Sequence, residues 1–198
     1  MSLKDTYNRI AEDWHRDHLK DDWWIPDAER FVALLPSQSL VLDVGCAGGV
    51  KSRWLKERDL RVIGIDISEK MIEIARGFCP DVDFRVMDMH DIGTLPETFG
   101  GIFAQASFLH LPKKDVPAVI AACVSRLESG GLLYAAVKEV RPGRGEEEHK
   151  TENDYGYDYT RFFSYYTLDE MKRLFTDAGL TLVHAETVEG WIQTIGRK

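Results

Sequence analysis

One stretch constrains this chain more than any other: Leu40-Val41-Leu42-Asp43-Val44-Gly45-Cys46-Ala47-Gly48-Gly49. Its apolar, β-branched start reads as a buried strand. The strand breaks into a glycine-rich turn, where missing side chains let backbone N–H groups approach a ligand closely. Val50 to Arg58 follows, with Val50, Trp54 and Leu55 on one helical face. Strand, glycine turn and helix form the nucleotide-cradling unit of open α/β sheets. Asp43 sets this unit apart. A carboxylate at the end of the strand repels a pyrophosphate and favours a positively charged ligand, whether ammonium or sulfonium.

Acids recur at the ends of later strands. Arg61–Asp66 reads as a second strand, and Asp66 stands about 20 residues after the glycine loop, the spacing at which a carboxylate accepts from both hydroxyls of a ribose. Ser68 is a suitable N-cap for a helix from Glu69 to Arg76. Val82 to Met89 reads as a third strand that contains Asp88 near its end. Phe99 to Pro112 holds a fourth strand, with Gln105 near its end, and an exit loop carrying His110. In a doubly wound sheet the fourth strand lies beside the first, so its carboxyl end faces a bound ligand. His110 is the only one of the six histidines at this end. Two roles stay open for it: a proton acceptor, or a ring hydrogen-bonded structurally to its loop.

Asp43, Gly45, Ala47 and Gly49 resemble the acidic-x-Gly-x-Gly-x-Gly loop of the class I S-adenosylmethionine-dependent methyltransferases, in their small-molecule branch. Ala47 stands where that pattern usually has its second glycine, a departure that is mild if the backbone there is not at positive φ. Gly64-Ile65-Asp66-Ile67-Ser68 is similar to the same family's next motif. The resemblance implies that Asp66 holds the cofactor ribose, that Ile67 packs on adenine, and that Asp88 and the backbone of Met89 contact the ring. The small-residue turn before Leu109-His110 also resembles small-molecule members, and it is not the Asn-Pro-Pro-Tyr loop of many amine methylases. The resemblance implies a doubly wound, seven-stranded, mostly parallel α/β sheet in a single domain, the Rossmann-like methyltransferase fold, with the last strand antiparallel. Its cofactor is S-adenosyl-L-methionine. No nucleophile is required, because a sulfonium carries its methyl already activated, and His110 becomes a base only if the acceptor is a hydroxyl.

Composition narrows the setting. A chain of 198 residues with 44% hydrophobic content builds a substantial core. A net charge of −8 argues against nucleic acid as partner. No apolar run reaches the length of a membrane span, and no signal-peptide pattern is present. Cys46, Cys79 and Cys123 are odd in number and far apart, which fits no metal site and indicates a reducing cytoplasm.

Residues 1–36 read as an N-terminal helical cap and 37–198 as the methyltransferase domain. Tyr7, Ile10, Ala11 and Trp14 fall at helical spacing, and Pro26 opens a second helix. Pro112 to Leu127 is an amphipathic helix that Ser129-Gly130-Gly131 ends; Leu132 to Lys138 is a fifth strand. Residues 141–158 read as a long loop over the site. Thr167 opens a last helix, and 180–188 with 191–195 form a terminal hairpin. Tyr7 and Trp14 either cover one edge of the cleft, as acceptor-binding residues, or anchor their helix to the core. Lys138, Arg161 and Phe162 fall on the acceptor side that the resemblance implies; the two cations either suggest a small, partly apolar acceptor bearing a carboxylate or phosphate or pair with Glu139 or the Glu146-Glu147-Glu148 run. Two rival readings remain: a domain that binds S-adenosylmethionine without transferring methyl, and a nicotinamide-dependent oxidoreductase, against which stand Asp43 and the missing Gly-x-Gly-x-x-Gly spacing.

Overall fold

In a computed structural model, which describes residues 2–143 and 145–198, two helices come first, α1 (Leu3–His18) and α2 (Ile25–Ala33). Met1 and Arg144 belong to the expected cap and the expected 141–158 loop, and lie outside the described residues. A capping box starts α1: Ser2 Oγ accepts from the Asp5 N–H while the Asp5 carboxylate accepts from the Ser2 N–H. Then follow β1 (Leu40–Val44), α3 (Val50–Lys56), β2 (Arg61–Asp66), α4 (Glu69–Phe78), β3 (Asp83–Val86), β4 (Phe99–Gln105), α5 (Val116–Arg126) and β5 (Leu127–Lys138). The chain ends with β6 (Glu147–Glu152), β7 (Tyr159–Ser164), α6 (Leu168–Asp177), β8 (Thr181–Val188) and β9 (Trp191–Arg197).

Seven strands form one sheet in the order β3-β2-β1-β4-β5-β9-β8. β9 pairs antiparallel with both neighbours, and all other pairs in the sheet are parallel. This is the expected doubly wound sheet with its last strand reversed. Strand order switches between β1 and β4, and ligands of such sheets bind outside the carboxyl ends at that point. Each face of the sheet has its own apolar layer. On one, Phe31 of α2 packs against Phe103 and Tyr134 at 5.5 and 5.9 Å between ring centres. A Cβ on Gly101 of β4 would come within 2.7 Å of the Phe31 ring, so the glycine lets α2 settle onto the strand. On the other face Ile120, Cys123, Phe108 and Phe175 are fully buried.

Three boundaries differ from the sequence reading. β3 stops at Val86, and Met89–Thr94 is a short 3-10 turn that places Asp88 at its N-cap. α5 ends at Arg126 and β5 starts immediately at Leu127, with a register shift against β4 that absorbs Gly130 and Gly131. Within residues 141–158, β6 pairs antiparallel with β7. Every residue of β6 (Glu-Glu-His-Lys-Thr-Glu) is polar, so no alternation marks it; the pairing comes from its partner strand.

α1 is fastened on two sides. Asn8 Oδ1 accepts from Ser68 Oγ (2.7 Å) and the Lys70 N–H (3.1 Å) at the start of α4. Thr6 and Arg9 donate to the backbone carbonyls of Thr160 and Asp158, both at 2.9 Å. His15 reaches over the glycine turn, where a Cβ on Gly48 would sit 2.1 Å from His15 Nδ1. The ring is braced edge-on against Phe78 at 5.1 Å, so an added methyl must push it from its present place. Gly48→Ala is therefore expected to cost about 1–3 kcal/mol of stability, the range of an overpacked contact. Adding His15→Ala should recover most of that loss in thermal melts; equal losses in the single and double variants would place the cost elsewhere.

Candidate functional site

A cavity of about 900 Å³ opens at the carboxyl ends of the strands, under α1. The first turn builds one wall. Gly45 and Gly49 have φ of +72° and +83°, and Ala47 also lies in the left-handed region at +46°. The mild departure expected at Ala47 is thus corrected, because an alanine there carries strain. The conformation turns the Ala47 N–H onto Asp66 Oδ2 at 3.0 Å, while the Gly45 and Cys46 N–H groups donate to the Ile65 carbonyl at 2.9 Å. Ala47→Gly is expected to leave the loop in place and raise stability by up to about 1 kcal/mol, the left-handed penalty less the added chain entropy. A lower melting temperature would contradict this.

Gly45, Ala47, Asp66, Ile67, Asp88, Met89 and Gln105 all line the cavity. Asp66 is held in place by two backbone donors, Ala47 and Ser68 (2.9 Å), and burial pushes its carboxyl up to about 6. Asp88 caps the 3-10 turn through the His90 N–H at 3.0 Å. Gln105 Oε1 accepts from the Tyr134 hydroxyl at 2.6 Å, which fixes the amide. The same amide's Nε2 and Ser107 Oγ are buried without a hydrogen-bond partner, an arrangement proteins rarely tolerate unless a ligand or water supplies one.

Two expected loop residues do not line the cavity. Gly49 sits behind the turn, with room only for hydrogen against Phe84. Asp43 is 1% exposed beneath the loop and accepts from Ser52 Oγ of α3 at 2.6 Å. Burial pushes its carboxyl up to about 6, the Ser52 hydroxyl opposing. The charge expected to face a ligand therefore ties helix to strand under the turn.

The other half of the cavity is aromatic and charged. Tyr7, Trp14, Lys138, Arg161 and His110 meet there, as expected. Phe162 does not: side chains alternate along β7, so Arg161 and Phe163 point inward. The Phe162 ring turns to His149, and only its carbonyl serves the site, accepting from His110 Nδ1 at 2.7 Å. A carbonyl cannot donate, so Nδ1 carries the proton and Nε2 accepts from the Tyr7 hydroxyl at 2.8 Å. Burial lowers the His110 imidazole to about 3, which keeps it neutral. Arg161 hydrogen-bonds Tyr7 and is ion-paired with Glu152 at 2.6 Å. Sequence reasoning missed Asp27, Trp191, Gln193 and Glu186, which also line this half. Alternation along the terminal hairpin carried a signal for the last three; nothing marked Asp27.

Residues 41–131 match the family model described as a methyltransferase domain. The segment spans all the motif-bearing strand ends just described. The matched segment is a methyltransferase domain, and the chain is similar to class I S-adenosylmethionine-dependent methyltransferases. A ubiquinone biosynthesis O-methyltransferase from Xylella fastidiosa is 27% identical over 159 residues, covering 68% of this chain and 64% of that protein. One of the same description from Xanthomonas campestris is 32% identical over 107 residues, 52% of this chain and 44% of that protein. The chain thus spans less than two thirds of the length of these curated relatives. Among solved structures, a Burkholderia thailandensis 1,6-didemethyltoxoflavin-N1-methyltransferase superposes with a TM-score of 0.76 at 18% identity, over 99% of this chain and 87% of that one. A Mesorhizobium loti S-adenosylmethionine-dependent methyltransferase gives 0.72 at 18% identity, over 91% and 100%. Both have the methyltransferase fold. Of the described residues, no group of three or more His, Cys, Asp or Glu is placed to hold a metal, and no helix is long and apolar enough to cross a membrane.

Proposed function

We propose that this chain moves a methyl group from S-adenosylmethionine to a small-molecule acceptor. The observation that carries the reading is the convergence of Ala47, Asp66, Asp88 and Gln105 on one end of a cavity whose other end is separately walled by aromatic and charged side chains. The residues at the first end fit the cofactor. Asp66 presents a carboxylate to the ribose hydroxyls, Ile67 and Met89 offer apolar contact to a purine, and Asp88 accepts from its amino group. Gln105 Nε2 and Ser107 Oγ are unpaired polar atoms to which the cofactor's polar groups bring partners. A Cβ on Gly45 would meet Ser107 Cβ at 2.7 Å, so only glycine lets the turn close against the end of β4.

The cofactor supplies an activated methyl; the chain must align the acceptor, keep water out and handle a proton. α1 roofs the cavity, and Trp14, stacked on His18 at 3.7 Å between ring centres, excludes water from its upper wall. For a hydroxyl acceptor, a neutral imidazole at about 3 does not remove a proton beforehand. As the acceptor oxygen gains positive charge it becomes strongly acidic. Its proton passes to Tyr7 Oη while the Tyr7 proton moves to His110 Nε2. His110 in this role receives a proton late and through Tyr7. The Phe162 carbonyl steadies the imidazolium that results. Buried free thiols at Cys46, Cys79 and Cys123 support a reducing cytoplasm, and the acidic net charge supports a small molecule over nucleic acid.

Incubation with methyl-labelled S-adenosylmethionine and a panel of small hydroxyl and amine acceptors tests the reading. Label is expected on an acceptor, with S-adenosylhomocysteine formed in equal amount. Cofactor binding with no label moved to any member would favour a non-catalytic binding domain.

A further inference from the structure

The acceptor half of the cavity has a floor made of one sheet face, and its charges are ordered. Across β5, β9 and β8, Lys138 pairs with Trp191, which pairs with Val188; two residues along, Ala136 pairs with Gln193, which pairs with Glu186. Cross-strand partners share a face, and so do residues two apart, so Lys138, Trp191, Gln193 and Glu186 present one surface to the cavity. Lys138 and Glu186 stand at opposite corners, two strands and two residues apart. That separation is about 12 Å between backbone positions at ordinary strand spacing.

The corners differ in charge balance. At the first, Glu152 is shared by Arg161 (2.6 Å) and Lys150 (2.7 Å), so one carboxylate faces two cations. Lys138 adds a third cation with no carboxylate in ion-pair range among the described residues. Its ammonium lies 4.6 Å from the Phe163 ring centre and 5.7 Å from that of Trp191. Burial, and then repulsion from Arg161, lowers its pKa. At the far corner, Glu186 accepts from His184 (2.8 Å) and pairs with Arg30 (3.3 Å). Asp27 of α2 lines the same corner and has no ion-pair partner among the described residues. Burial, and then the Glu186 charge, raises its carboxyl. Between the corners, Gln193 is 3% exposed and its Oε1 has no hydrogen-bond partner.

We propose that the acceptor is a small zwitterion, its anionic group on Lys138 and its cationic group on Asp27, whose carboxylate, unlike that of Glu186, has no ion-pair partner among the described residues, with Gln193 lying between the two ends. The inference rests on the methyltransferase reading, and it moves the anion site from the pair Lys138 and Arg161 to Lys138 alone. Arg161 is already neutralised by Glu152 and occupied with Tyr7. Trp23 and Trp191, stacked at 4.5 Å between ring centres, wall the apolar middle of such a molecule.

Calorimetry on the full chain saturated with S-adenosylhomocysteine tests it. The probes are ω-amino acids of four, six and eight carbons, each beside the fatty acid and the alkylamine of equal length. At one length the ω-amino acid should bind at least about tenfold tighter than both single-charge analogues. Lys138→Met should erase its advantage over the amine, and Asp27→Asn its advantage over the acid. Equal or tighter binding of a single-charge analogue, no binding by any ω-amino acid, or a preference unmoved by either variant would overturn the proposal. Titration with S-adenosylhomocysteine alone comes first and separates the readings. If it does not bind, the methyltransferase reading fails. If it binds and the zwitterion shows no advantage, only the acceptor assignment fails.

Discussion

His110→Ala is expected to lower kcat by about a hundredfold or more with a hydroxyl acceptor, the scale of a lost proton relay. The ring joins the Tyr7 hydroxyl of α1 to the Phe162 carbonyl of β7, and alanine removes the acceptor of the Tyr7 O–H and one donor to that carbonyl inside the protein. Stability should therefore fall as well, by about 1–3 kcal/mol. The two effects are separable by assaying below the variant's melting temperature. Tyr7→Phe keeps the ring and removes only the hydroxyl, so it should lose kcat with a smaller loss of stability. Because burial holds the imidazole near 3, kcat should show no step from His110 across neutral pH. A kcat profile that titrates near the ordinary histidine value and vanishes in His110→Ala would contradict the neutral, buried ring.

Asp66→Ala is expected to weaken S-adenosylhomocysteine binding by about 1.5–3 kcal/mol, the scale of hydrogen bonds to a charged group. Asp66 and Asp43 also give a pH signature with two opposite signs. Burial raises both carboxyls to about 6 in the folded chain, above the usual carboxylate range. The folded form therefore holds more protons than the unfolded chain from about pH 4 to 6, and stability of the free protein falls as pH rises through that window. Cofactor affinity runs the other way, because the ribose hydroxyls donate to an ionised Asp66. Affinity should rise from pH 5 to 7 in the parent and stay flat in Asp66→Ala. If Asp66 is only a helix cap, the melting temperature drops while affinity holds.

The first elements were legible because their information is local, whereas the sheet's topology came from the family resemblance. Gly45 and Gly49 sit at positive φ where the strand must turn into a helix, and Asp66 and Ser68 mark the next strand end by chemistry that few other arrangements need. β6 was not legible. Its six polar residues pair only because β7 offers a strand edge, and Lys113 anchors the preceding Glu146 at 2.8 Å. The site was half legible. Asp43 has the right residue type and place in sequence, yet burial turned a ligand contact into a brace for Ser52. Phe162 and Phe163 are adjacent and alike, and a one-residue difference in strand phase decides which faces the cavity. Asp27 lies on a helix far from every motif, and only tertiary packing brings it opposite Glu186.

The central claim is that the end of the cavity formed by Ala47, Asp66, Asp88 and Gln105 holds S-adenosylmethionine. Calorimetric titration of the purified chain with S-adenosylhomocysteine and, separately, with NAD tests it most directly. Saturable one-to-one binding of S-adenosylhomocysteine, lost or strongly weakened in Asp66→Ala, with no heat from NAD, is the predicted result. Binding of NAD in preference to S-adenosylhomocysteine would contradict it.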